Sequence, residues 1–259
     1  MSKNEWLKIK NQTDTSAEMY ISGDIVGDDL GGALEYWDDP GTGYNWPNNI
    51  KQQLDAVADK DLTVYINSGG GDVFAGMAIA SMIKRCKGET TAVVDGYCCS
   101  IATQIFFAAD KCKMPKNAYL MVHKPATCAC GDANDMRKTI DMLDTIQQGI
   151  ETTYNDAAKE DVSADKIHEM TENETWLTGE QAAEVFDIEV LDAVQAVAYA
   201  GDAAKFFKNK PENLHLGAEK QPPDPPKTSD NAAKIAAMNK KTSQKTQIAL
   251  ALAKGSMII

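Results

Sequence analysis

Apolar and polar residues alternate through "AEMYISGDIVG" (17–27), a period of two that predicts a strand ending in glycine. "GYNWPNNIKQQLDAVAD" (43–59) switches to helical spacing. "LTVYINSGGG" (62–71) is a β-branched strand run ending in three glycines, and "DVFAGMAIASMIKRCKG" (72–88) predicts an amphipathic helix closed by Gly88. "TTAVVDGYC" (90–98) reads as a strand, "SIATQIFFAAD" (100–110) as a short buried helix, and "NAYLMVHKP" (117–125) as a strand stopped by Pro125. Strands alternate with helices from about residue 18 to 125, which predicts an α/β layered fold built from βαβ units.

A long helix follows over about 132–160, with Met136, Ile140, Met142, Leu143, Ile146 and Ile150 near one face. "SADKIHEM" and "TGEQAAEVF" predict shorter helices, each opened by a Ser or Thr at the capping position. "IEVLDAV" predicts a closing strand. Beyond about residue 200, "KNKPENLHLGAEKQPPDPPKTSDNAAK" is polar and proline-rich, a linker composition, and the rest has weak helical character with few large apolar residues. The expected division is an N-terminal extension (1–17), one catalytic-size domain (18–199), and a linker with a flexible, low-complexity tail (200–259).

Composition narrows the function. The net charge of −12 argues against a general nucleic-acid binder, which needs a basic face. No run reaches the roughly 18 apolar residues that span a membrane, and "MSKNEWLKIKNQTD" has no apolar leader segment. A cytoplasmic protein with its six cysteines reduced is expected. "CAC" (128–130) lacks a second ligand pair at finger spacing, so no metal or other cofactor is expected.

Three histidines bound any acid–base chemistry. His215 falls in the linker, and His168 sits among charged residues on a short helix, as a solvated side chain does. His123 ends an apolar strand at a loop, where α/β folds place active groups, although a satisfied core histidine fits the same position. Ser100 lies between a strand and a helix. Such an elbow exposes Oγ and aims helix-start N–H groups at a developing oxyanion; the alternative is a plain N-cap. Cys98 and Cys99, beside it, are alternative nucleophiles or small packing residues. "INSGGGD" (66–72) lets a backbone approach a ligand. It lacks the GK[ST] of a phosphate loop, which leaves an oxyanion site with a peptide-binding edge as the other reading.

Three pieces taken together resemble one family. "INSGGGDVFAGMAIASMIK" is similar to the "INSPGG…AGM" segment of the ClpP family of serine peptidases. "GYCCSIA" resembles its "G-x-A-A-S-M" nucleophile segment, and "YLMVHKP" its "VMIHQP" histidine segment. Their order and intervals agree as well. The resemblance covers about 18–193 and implies a ClpP/crotonase-like spiral of ββα units followed by the long helix.

In that register Ser100 is the nucleophile, His123 the general base, and Cys98 and Cys99 replace two alanines. "MTENETWLTGEQAAEVF" places Glu174 where the family has the aspartate of its triad, with Glu172 as runner-up. The resemblance implies an oxyanion hole from the N–H groups of Gly71 and Ile101, with Gly69 and Gly70 binding substrate. Gly69 stands where the family has proline. The implied activity is a serine endopeptidase acting on polypeptides in a homo-oligomeric ring. "KPATCACGDAND" departs from the family's ring-joining segment. The N-terminal opening and the tail look more like the ClpP-related peptidases of phages and prophages, which implies scaffold, portal or coat proteins as partners. A catalytically inactive assembly protein and a crotonase-like acyl-CoA enzyme are the competing readings.

Overall fold

The computed structural model describes residues 9–36, 43–57, 59–193 and 207–210. β1 (Ser16–Ile25) buries Ala17, Met19 and Ile21 at alternate positions, as its sequence pattern requires. Then come α1 (Asp28–Tyr36), β2 (Tyr44–Asn45), α2 (Pro47–Asp55) and β3 (Asp61–Gly71). They are followed by α3 (Val73–Lys84), β4 (Thr90–Cys99), α4 (Ala102–Phe106), β5 (Lys111–Pro115) and β6 (Tyr119–Val122). The last elements are α5 (Ala133–Ala157), α6 (Ala164–Glu172), β7 (Thr175–Thr178), α7 (Gly179–Val185) and β8 (Glu189–Leu191).

The expected α/β fold is what forms. Six strands make a parallel sheet in the order β2-β1-β3-β4-β5-β8. The sheet forks at β4. Its first half, Thr91–Val93, pairs with β5, while its end, Tyr97–Cys99, pairs in parallel with β6. A register shift against β3 marks the fork, and Gly96 there takes φ 124°. β7 then pairs antiparallel to β6. The fork thus creates a short second layer, β4 end–β6–β7, that holds the ends of three elements together.

The main core is aliphatic: Ile21, Val64, Ile66, Ile79, Val94 and Ile105 are fully buried between the sheet and α2, α3 and α4. α5 is capped by Asp132 in a capping box with Asp135. Of the face expected on α5, only Ile146 and Ile150 are buried; Ile140 and Met142 stay exposed.

Several boundaries differ from the sequence expectation. α1 and β5 were not expected: two glycines weaken the helix pattern of the first, and "KCKMP" is too short and polar to announce the second. The helix expected over 100–110 begins only at Ala102. Of the expected 1–17 extension, residues 1–8 lie outside the described residues, Lys10 bridges to Glu18, and Ser16 and Ala17 already belong to β1. The expected linker is not all loose, because Phe207 is buried in the second layer. His215 and the rest of the tail lie outside the described residues. No helix among the described residues is long and apolar enough to cross a membrane.

Candidate active site

β4 delivers Ser100 at its carboxyl end, and the chain turns there so sharply that Ser100 adopts φ +56°. This left-handed conformation costs a non-glycine residue about 1–2 kcal/mol. The surroundings hold it in place. Ser100 N–H donates to Met121 C=O on β6 at 2.9 Å. Thr103 donates its hydroxyl to Ser100 C=O at 2.6 Å, and lies 2.7 Å from the Tyr154 hydroxyl on α5. Ile101, not Ser100, is the N-cap of α4, so the capping explanation of Ser100 is overturned.

Two glycines allow the close packing behind this elbow. Gly70 has φ +91°, and a Cβ there would lie 2.8 Å from Ser100 Cβ and 3.1 Å from Ile101 N. A Cβ on Gly76 would lie 2.4 Å from the Ile101 side chain. The AGM segment of α3 therefore presses directly on the residue after the elbow. Gly69 and Gly70 are buried, and Gly71 is half-buried at the end of β3. Asp72 N–H, rather than that of Gly71, donates to Ile25 C=O across the β1 pairing. The Gly71 N–H is left out of that bond, and the Ile101 N–H donates no hydrogen bond among the described residues.

His123 follows β6 directly, and its Nε2 lies 2.7 Å from Ser100 Oγ. Burial is the main influence on its imidazole and lowers the pKa from 6.5 to about 4; the Glu174 charge opposes that, and Lys208 adds to it. The ring is therefore neutral at pH 7. With the proton on Nδ1, Nε2 accepts the Ser100 O–H.

Glu174 sits between α6 and β7 at φ +48°, only 9 % exposed. Its Oε2 is 4.0 Å from His123 Nδ1, an ion-pair distance longer than a hydrogen bond. Its other oxygen, Oε1, accepts the Asn209 N–H at 2.7 Å. Glu172, the runner-up, turns away. It accepts from Lys124 at 2.6 Å and Gln147 at 3.0 Å, and these partners lower its pKa. The structure thus gathers Ser100, His123 and Glu174, and separates Glu172 from them.

Cys98 and Cys99 are fully buried, and burial raises both thiols well above their usual pKa. A thiolate is disfavoured there, which leaves the packing role. His168 is exposed and bonded to Glu151 at 2.9 Å, away from Ser100, while Cys128 and Cys130 are exposed.

Sequence reasoning missed four contributors. Ser68 donates its buried hydroxyl to Gly23 C=O at 2.6 Å and accepts the Gly70 N–H at 3.1 Å, shaping the glycine turn. Its place in "INSGGG" was the available signal. Thr103 bonds the elbow at helical offset. Phe207 and Asn209 came from a stretch whose composition announces only a linker.

Comparison with known proteins adds a family. The Clp protease family matches residues 47–187, which contain Ser100, His123 and Glu174. Two proteins of Bacteroides fragilis and one of Bacteroides thetaiotaomicron, each named ATP-dependent Clp protease proteolytic subunit, are 28 % identical over 143 residues. That stretch is 53 % of this chain; it spans 68 % of one relative and 64 % of the other two.

Proposed function

The chain belongs to the Clp protease family, and on that premise we propose that it is a serine endopeptidase whose nucleophile is Ser100. The observation that carries this reading is the 2.7 Å contact between Ser100 Oγ and His123 Nε2. His123, neutral at pH 7, takes the hydroxyl proton as Oγ attacks a peptide carbonyl. The Gly71 and Ile101 N–H groups receive the oxyanion. Glu174 offsets the charge that forms on the imidazole. The protonated ring then gives its proton to the leaving amine, and water resolves the acyl-enzyme by the same route.

An extended polypeptide substrate fits the end of β3. Pairing between β3 and β4 stops at Ser68, so residues 69–71 continue with β1 on one side and Ser100 on the other. We extend the reading to a homo-oligomeric assembly, supported by Phe74 and Ile140, which are large, apolar and more than half exposed. Its substrates are proposed to be phage or prophage capsid, scaffold or portal polypeptides. The support is the resemblance of the N-terminal opening and the tail, both outside the family match, to the ClpP-related peptidases of phages and prophages.

A catalytically silent assembly protein is the second reading, and the 4.0 Å gap between Glu174 and His123 favours it. The Ser100–His123 contact speaks against an acyl-CoA enzyme, which needs no such pair. Incubation with a fluorogenic peptide library separates the first two. Hydrolysis by wild type that disappears in Ser100→Ala supports the peptidase. Equal, negligible hydrolysis by both supports the silent protein.

A further inference from the structure

We propose that Phe207–Asn209 is a positioning strap for the catalytic pair, with the Asn209 N–H orienting Glu174 and the Phe207 ring fixing His123. The inference rests on the serine peptidase reading above.

The strap holds the acid on both sides. Asn209 donates its backbone N–H to Glu174 Oε1 at 2.7 Å, a length typical of a charge-assisted bond. Its side-chain Nδ2–H donates to Asn173 C=O at 3.0 Å, one residue before the acid. Glutamate has one more rotatable bond than aspartate, so a carboxylate at this position needs an additional restraint. Fixing Oε1 supplies it and leaves Oε2 as the oxygen facing His123 Nδ1.

Phe207 anchors the other end. It is 5 % exposed and packs with Tyr97 and Cys99 of β4 and Met121 of β6. Its ring meets His123 edge-on, with centroids 5.8 Å apart at 84°, and meets Trp176 at 5.5 Å and 76°. One aromatic side chain therefore touches the strand that leads into Ser100, the histidine itself, and the strand that follows Glu174. The exposed Lys208, between the two anchors, adds a positive charge near the imidazole. All three residues lie beyond residue 187, where the family match ends.

The test compares full-length wild type with Asn209→Pro, which removes the N–H, and Asn209→Ala, which keeps it. Both changes are also made in a Glu174→Gln background. Peptide hydrolysis gives kcat and KM; NMR titration of the His123 ring needs no turnover. Asn209→Pro is expected to lower kcat roughly 10- to 100-fold, the worth of one hydrogen bond to a buried charge, with KM little changed. Asn209→Ala is expected to stay close to wild type. In the Glu174→Gln background the proline is expected to cost clearly less than in wild type, because the charge that the Asn209 N–H orients is already gone. The His123 midpoint is expected to rise from about 4 in Asn209→Pro, as the ring loses its cover and the nearby lysine.

An equal loss in both backgrounds means the strap is only structural and overturns the proposal. A higher kcat in Asn209→Pro overturns it in favour of an inhibitory cover. An unchanged His123 midpoint overturns it whether or not the protein turns over peptide. A wild type that hydrolyses nothing, yet shows the midpoint shift, sinks the peptidase reading and leaves the strap geometry standing.

Discussion

His123 Nε2 stands 2.7 Å from Ser100 Oγ although 23 residues separate them in sequence. The fork in the sheet is the cause. β6 pairs in parallel with the last three residues of β4, so the residues that follow the two strands emerge side by side. Every chemical expectation for this protein depends on that pairing.

The buried imidazole sets the pH dependence. His123 must be neutral to accept the serine proton, and its pKa is about 4. The acid limb of kcat/KM is therefore expected near pH 4, well below the 6.5 of an ordinary histidine. Stability follows the same sign. The folded pKa lies below the unfolded one, so the folded state resists the proton. Stability is fully present above pH 6.5 and declines as pH falls to 4, by up to about 3 kcal/mol. Thermal melts of wild type and His123→Gln across this window check it; parallel curves contradict it.

Glu174 and Glu172 make a paired test of the acid. Glu174→Gln is expected to lower kcat by roughly 10²–10⁴, since it removes the charge that offsets imidazolium. Glu172→Gln breaks an exposed contact to Lys124, and its effect on stability is expected below about 1 kcal/mol with kcat unchanged. Steady-state kinetics of the two variants decide between them. The reverse ranking assigns the acid to the wrong residue.

Gly70→Ala forces a methyl group to within 2.8 Å of Ser100 Cβ at a φ of +91°. A loss of about 1–3 kcal/mol in unfolding free energy is expected, together with a displaced elbow and reduced activity. Urea denaturation measures the first and peptide hydrolysis the second. Wild-type values for both contradict the packing described behind Ser100.

The cysteines are predicted to divide by exposure. Native protein treated with iodoacetamide at pH 8 is expected to react at Cys128 and Cys130, and not at the fully buried Cys98 and Cys99. Peptide mapping reads the sites. Rapid modification of Cys99 reopens the choice of nucleophile within "CCS".

Much of the fold was legible because its signals are local. Alternating apolar runs mark β1, β3 and β4, and glycines mark the turns where backbones meet. Ser100 and His123 were legible through flanking strands and the family motifs. The left-handed turn at Ser100 was not, because serine carries no sign of it; the β6 pairing and the tight environment impose it. The fork was equally hidden, being a choice between two partners for one strand. Asn209 was the least legible of all. It acts through a backbone N–H, which every residue but proline has, so no side-chain pattern could announce it.

The most direct test of the central claim is covalent labelling with a fluorophosphonate probe, followed by mass spectrometric location of the adduct. The account predicts one adduct on Ser100 in wild type, absent in Ser100→Ala and strongly slowed in His123→Ala. Folded wild-type protein that takes no label, or takes it on another residue, contradicts an activated serine at the end of β4.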